Sequence, residues 1–384
     1  MKEFQPSKFL RGLEKSPIRK ISDRARPEHV NLGLGEPDLP TPEVIRRAAV
    51  EVIEKERNGY TLQAGLPGLR ERVASDYPQL GLSSDDVIIT AGSQESLYLA
   101  LMTLVDADDE VLLPNPGFPA YPTITRMAGG RPLFYRLPAS RDFGFDLEEF
   151  KLHLNSRTKV IMCTSPSNPT GRAFTKDELT AVAQVVESTC PEAFIISDEI
   201  YRELYYTSEP PHSISEFYPR TIVISGLSKS MSMTGWRLGW LLGHPDVVRA
   251  ALVLHGYVTT CASTISQKAA LAAWTHEAAE ARQQTRSTFK RRRDHLVGLM
   301  QSELGLSCVT PDGAFYTMAD VSRYGQSLAV AEKALDCGVV TIPGVAFGSE
   351  SEGFLRISFC ADESTLSEGV SRLGRALEQV LHTL

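Results

Sequence analysis

The 384-residue sequence is poor in the features that would assign it to a membrane, a metal centre or a nucleic acid. Its six cysteines (Cys163, Cys190, Cys261, Cys308, Cys337, Cys360) are scattered, with no CxxC pair and no histidine partners at metal-binding spacing. A disulfide framework and a structural zinc site are therefore not expected, and the thiols read as free, mostly buried small hydrophobes. No uninterrupted apolar run approaches a membrane span, and the opening "MKEFQPSKFLRGLEKSPIRK" lacks the apolar stretch of a signal peptide. A soluble, cytoplasmic protein is expected. Excess positive charge is missing too: 40 Lys and Arg stand against 47 Asp and Glu, a formal net charge of -7. Nucleic-acid affinity comes mainly from neutralising phosphates, so that class of partner is not expected. There is no internal repeat or low-complexity linker.

Several tempting fragments carry no site. "KRRRDH" (290 to 295) lies in a long helical stretch and reads as a solvated helix face. "HEAAE" lacks the second histidine of a zinc-protease helix, and "NLGLGE" lacks the third glycine of a dinucleotide site. Trp236 and Trp240 read as packing residues.

What is present is a βαβ rhythm. From about residue 85 to 243, short apolar runs ("DVIIT", "EVLLP", "PLFYRL", "TKVIMCTSP", "AFIISDE", "TIVISG", "RLGWLLG") alternate with helical patterns such as "SQESLYLALMTL" and "KDELTAVAQVVEST". The expectation is a mostly parallel sheet covered by helices on both faces, with ligands gathered beyond the strand C-termini. From about 263 to 304 a proline-free run predicts one long helix. "VVTIPG" and "FLRISFC" read as strands, and "TLSEGVSRLGRALEQVLHTL" as a closing amphipathic helix. The length of the chain calls for a second, smaller domain.

Four stretches at strand ends supply different polar groups. In "TAGSQESL" a strand gives way to a helix at Gly92, Ser93 and Gln94, either a phosphate-binding turn or an ordinary cap by Ser93. "TSPSNPTG" places Asn168 in a rigid turn. "SDEIY" places Asp198 directly after an apolar strand, as a helix cap or a ligand to a cation, with Tyr201 three residues on. In "SGLSKSMSMTGWRLGWLLG" (225 to 243) Lys229 sits in an apolar setting that would lower its pKa and suit Schiff-base chemistry, and Arg237 can grip an anion. A lysine, an arginine, a phosphate-type turn, an asparagine and an aspartate together fit pyridoxal 5'-phosphate (PLP): anionic, aldehyde-bearing, with a protonatable ring nitrogen.

These stretches, in order with "LGLGEPDLPTP" (32 to 42), "YTLQAGLPGLRE" (60 to 71), "NPGFPAYP" (115 to 122) and "FLRISF" (354 to 359), resemble the class I/II aminotransferases, fold-type I PLP enzymes, and most of all their aspartate aminotransferase branch. The resemblance implies an α/β fold: a large domain (47–290) with a mostly parallel seven-stranded sheet between helices, and a smaller α+β domain formed by 1–46 together with 291–384. It implies that Lys229 bonds the cofactor covalently and later acts as a general base, that Asp198 pairs with the ring nitrogen, and that Asn168 and Tyr201 bind the ring hydroxyl oxygen. Phe118 would stack on the ring, and Gly92, Ser93, Gln94 and Arg237 would hold the phosphate, with Ser225 or Ser228 as further candidates. Arg356, helped by backbone near Gly35 and by Asn168, would take the substrate α-carboxylate. Tyr60 would reach the phosphate of a neighbouring subunit, implying a homodimer. The implied activity is transfer of an amino group from an α-amino acid to a 2-oxo acid by a ping-pong route. A PLP-dependent carbon-sulfur β-lyase would use the same Lys229, Asp198 and Arg356, and a non-catalytic PLP-binding regulatory protein is a third reading. No metal is implied.

Overall fold

The computed structural model describes residues 4–13 and 15–382. Twelve strands occur among them: β1 (Val30–Asn31), β2 (Val87–Thr90), β3 (Glu110–Asn115), β4 (Arg131–Arg136), β5 (Thr158–Thr164), β6 (Phe194–Asp198), β7 (Thr221–Gly226), β8 (Gly239–Leu242), β9 (Tyr316–Asp320), β10 (Val339–Val340), β11 (Ile342–Pro343) and β12 (Phe354–Ser358). Seven of them form one sheet in the order β2-β8-β7-β6-β5-β3-β4, parallel except for β8, which runs against both its neighbours. This is the sheet the resemblance implies.

Why these runs are strands follows from their burial. β2, β6 and β7 are buried at every position, as expected of strands covered on both faces rather than half-exposed ones. Along β2, Ile88 packs with Leu97, Leu101 and Ile224 on one face, while Val87 and Ile89 join Leu69, Val73 and Trp240 on the other. The covering helices carry their own start signals. Thr175 and Glu178 form a reciprocal capping box ahead of the helix Lys176–Thr189.

A second core gathers Phe289, Leu296 and Met300 of the helix His276–Leu304 with Phe315, Leu355 and Ile357 and with Leu366, Val370 and Leu373 of the helix Glu363–Leu381. Beside it lies an antiparallel sheet of order β11-β12-β9. β1 pairs in parallel with β10, which ties the N-terminal segment to the C-terminal region.

Three expectations change. The strand read in "VVTIPG" is two, β10 and β11, which pair with β1 and with β12 in different sheets. The single helix from 263 to 304 is two: Thr264–Ala270, a 3-10 turn Leu271–Trp274, and then His276–Leu304. Thr275 adopts an extended backbone and its side chain accepts from the Ala278 N–H, so a fresh N-cap interrupts the run without proline or glycine. "KRRRDH" is not wholly a solvated face either. Arg292 is buried and makes a bidentate pair with Asp38 at 2.6 and 2.9 Å, and Arg293 lies over the Tyr206 ring.

Candidate active site

Because β2, β3, β5, β6 and β7 run the same way, their C-terminal ends share one edge of the sheet. Antiparallel β8 begins at that edge, so Arg237, two residues before it, arrives where the other strands finish. A cavity of about 340 Å³ opens there. Gly35, Ser93, Gln94, Phe118, Asn168, Asp198, Tyr201, Ser228, Lys229, Arg237 and Arg356 all line it. Gly92 adjoins it: with φ +91, it leaves so little space that a Cβ would stand 2.5 Å from Nη2 of Arg237. Tyr60 is not brought in. It is 88% exposed, on the outside of the molecule among exposed Leu62, Val253 and Tyr257.

Lys229 Nζ donates to the carbonyl oxygen of Gly35 at 2.7 Å. Burial pushes its pKa below the ordinary lysine value; Cys360 and Glu36 oppose this, and the charges of Arg356 and Arg237 reinforce it. Such an amine gives up its proton more readily than a surface lysine.

Asp198, at the end of β6, is 8% exposed. Its pKa is raised to about 6, chiefly by burial, against hydrogen bonds from Tyr121 and from the Ile200 N–H. It is no helix cap. Tyr121 Oη donates to Asp198 Oδ2 at 2.8 Å and lies 2.8 Å from Thr164 Oγ1, whose strand position pairs in register with Asp198. Tyrosine has one hydroxyl proton and an ionised aspartate only accepts, so Thr164 is the donor to Tyr121. The chain Thr164–Tyr121–Asp198 fixes the carboxylate toward the cavity.

Arg356, on β12, is 3% exposed. It donates from Nη1 to Asn168 Oδ1 at 2.9 Å and from Nη2 to the Gly33 carbonyl at 2.6 Å, and its guanidinium lies 4.2 Å over the Tyr316 ring. Its Nε is buried and has no hydrogen-bond partner among the described residues. A buried cationic donor left unsatisfied is costly, and a carboxylate would supply what it lacks. Tyr316 Oη and Tyr201 Oη are 3.0 Å apart.

The anion-type turn is better resolved than sequence allowed. Ser93 is not the cap: Gly92 holds that position, with no side-chain cap, and Ser93 and Gln94 are the first two helical residues. Arg237, exposed and at φ +51, reaches back so that Nη2 lies 3.3 Å from the Ala91 carbonyl. Of the two serines near the lysine, Ser225 is spent, donating to the Glu199 carbonyl at 3.0 Å, whereas Ser228 faces the cavity. Phe118 stands at the wall with its ring edge-on to Tyr121, centroids 5.6 Å apart.

Sequence reading missed Tyr121, Thr164 and Tyr316, and with them Ile18, Ser22 and Leu34, which also line the cavity. Tyr121 lies within the quoted "NPGFPAYP", so its motif was visible and its partner was not. Among the described residues no group of acidic, cysteine or histidine side chains could hold a metal, and no helix is long and apolar enough to cross a membrane.

Residues 27–373 match the family described as aminotransferase class I and II. The chain is 34% identical over 382 residues to a probable aspartate aminotransferase of Methanocaldococcus jannaschii, covering 97% of this chain and 100% of the relative. It is 36% identical over 374 residues to a probable N-acetyl-LL-diaminopimelate aminotransferase of Bacillus subtilis, covering 94% and 93%. The fold superposes on the aspartate aminotransferase of Thermus thermophilus solved with maleate, with a TM-score of 0.92 at 30% identity, covering 97% of this chain and 100% of that one.

Proposed function

The chain belongs to the class I and II aminotransferases, and from that premise we propose that its cavity holds pyridoxal 5'-phosphate and there exchanges the amino group of an α-amino acid with a 2-oxo acid, in two half-reactions at one site. The observation that carries the proposal is the opposition, in one cavity, of a buried carboxylate with no salt bridge among the described residues (Asp198), a lysine of depressed pKa (Lys229) and a buried guanidinium with an unsatisfied Nε (Arg356). These residues fit the group. When bound, the cofactor supplies an aldehyde for amines and a conjugated ring that draws electrons from the substrate Cα.

The protein does the rest. Asp198, oriented by Tyr121, holds a proton on the ring nitrogen, because a cation beside it offsets the cost of its burial. Asn168, whose Oδ1 is taken by Arg356, keeps its amide N–H groups for the ring hydroxyl oxygen, with Tyr201 beside it. Phe118 packs on the ring. Gly92, Ser93, Gln94, Ser228 and Arg237 hold the phosphate. Lys229 Nζ would anchor the cofactor and, as a free amine, would take the Cα proton and return it. Arg356 holds the α-carboxylate.

Substrate choice follows from the segment 33–35. The Gly33 carbonyl meets Arg356 and the Gly35 carbonyl meets Lys229, so a substrate spanning carboxylate site and amine lies along Leu34. Its side chain then meets Leu34 and Ile18. Among the described lining residues the cations are Lys229, Arg237 and Arg356, each already assigned, so within one subunit the donor's side chain meets apolar surface.

The exposed Tyr60, with Leu62, Val253 and Tyr257, supports a homodimer in which Tyr60 reaches the partner's phosphate. A large cofactor-binding domain of 47–290, a small domain of 1–46 with 291–384, and a cytoplasmic location complete the proposal. The test is the absorbance spectrum of the purified protein, taken with a panel of amino acids and no acceptor. Conversion of the cofactor band with stoichiometric release of 2-oxo acid is expected. Release of ammonia and pyruvate would turn the reading to a β-lyase, and a protein that takes up no cofactor would refute it.

A further inference from the structure

Glu95 occupies an odd place for a carboxylate. It lies in the first turn of the helix Ser93–Leu104, beside the turn read above as the phosphate site, where a negative charge opposes an anion. The side chain is 8% exposed and fully engaged. Oε2 accepts from the Ala91 N–H at 2.5 Å, and Oε1 accepts from Thr259 Oγ1 at 2.5 Å and from Nδ1 of His255 at 2.9 Å. His255 is itself completely buried. Burial disfavours ionisation of Glu95, but the hydrogen bonds from His255, Thr259 and Ala91 outweigh it and hold the carboxyl below its ordinary value.

The geometry has a purpose that a plain cap lacks. A glutamate at the third helical position ordinarily turns back to the N–H of the cap residue, here Gly92. Glu95 reaches one residue further, to Ala91. Among the described residues, the N–H groups of Gly92, Ser93 and Gln94 then find no protein acceptor. The turn is also pressed from behind, since a Cβ on Gly239 would stand 2.5 Å from the Ser93 nitrogen.

We propose that Glu95, fixed by His255 and Thr259, is a positioning residue that pins the turn 91–94 by the Ala91 N–H and so aims the next three N–H groups at the cofactor phosphate. Its charge is held toward His255 and Thr259, on the helix Pro245–Val258 and its cap. The proposal rests on the phosphate reading of this turn, and its test separates the two. Cofactor-free wild type, Glu95→Ala and Glu95→Gln are titrated spectroscopically with pyridoxal 5'-phosphate and with pyridoxal, which can bond Lys229 but carries no phosphate. In Glu95→Ala the affinity for pyridoxal 5'-phosphate should fall about 10- to 100-fold, the range for a lost charge-assisted hydrogen bond, while pyridoxal affinity changes less than about twofold. Glu95→Gln, which keeps an acceptor for Ala91, should recover part of the loss. Equal weakening of both ligands, or of neither, overturns the proposal. If Glu95→Ala does not fold, Thr259→Val, which removes one donor to Glu95, is held to the same selective loss. A wild type that prefers pyridoxal 5'-phosphate no more than pyridoxal would instead refute the phosphate site itself.

Discussion

Asp198→Asn should remove a specific pH dependence from the stability of the cofactor-free protein. In the folded chain, burial raises the Asp198 pKa from its ordinary 3.8 to about 6, even though Tyr121 and the Ile200 N–H hydrogen-bond the ionised form. The neighbouring Glu199 charge adds to the rise, and Lys229 opposes it. Between about pH 4 and pH 6 the native protein therefore binds a proton that the unfolded chain has released. Stability then falls as pH rises through that window and levels off above it. The rise corresponds to about 3 kcal/mol, with a mid-window slope of about 1.4 kcal/mol per pH unit. Asparagine does not titrate, so the stability of Asp198→Asn relative to wild type should increase by about that amount from pH 4 to pH 7. Urea unfolding at fixed protein concentration across this range reads the difference. The cost of exchanging a carboxylate for an amide beside Tyr121 is independent of pH and drops out of the comparison. A difference constant with pH, or a wild type that gains on the variant as pH rises, would refute the reasoning. Adding pyridoxal 5'-phosphate above pH 6 should reverse the order, stabilising wild type more than the asparagine variant, because the ring nitrogen gives the carboxylate its cation.

Lys229→Ala should lose covalent retention of the cofactor, seen as no fixed label after borohydride reduction, and turnover should fall by at least about 100-fold, the lower range for a positioned general base. Arg356→Lys keeps the charge but loses the planar fork that meets Asn168 and Gly33; kcat/KM for α-amino acids should drop about 10- to 100-fold, while primary amines lacking the carboxylate react unchanged. Ile18→Arg should raise kcat/KM for aspartate relative to leucine or methionine. An unmoved ratio would sink the assignment of Ile18 and Leu34 to the substrate side chain.

How far sequence reached depended on whether a residue's meaning is local. The strands of the large sheet announce themselves as short apolar runs, and Lys229, Asp198, Asn168 and Arg237 sit at their ends within recognisable turns, so position along the chain implied position in space. Tyr121 and Tyr316 gave no such signal. Each is an aromatic residue in an apolar context, and its role comes from a partner far along the chain: Asp198 for Tyr121, Tyr201 and Arg356 for Tyr316. Arg292 misled for the same reason, since Asp38, which makes its burial tolerable, is remote in sequence. The break at Thr275 was hidden because threonine is tolerated inside helices and caps only when its backbone is extended. Tyr60 is placed outside its own cavity by a single chain, and its proposed role belongs to an assembly of two.

The reversal of β8 has a consequence in time as well as in space. Lys229 and Arg237 lie on one short connection, eight residues apart, whereas Arg356 lies more than a hundred residues beyond. Closing the longer loop costs about 2 kcal/mol more chain entropy than closing the shorter. Every cofactor contact proposed within the subunit, from Gly92 to Arg237, precedes residue 243, as does the whole seven-stranded sheet. During vectorial synthesis the grip on the cofactor is thus encoded, strand and turn, before the ribosome reaches the arginine that captures the substrate.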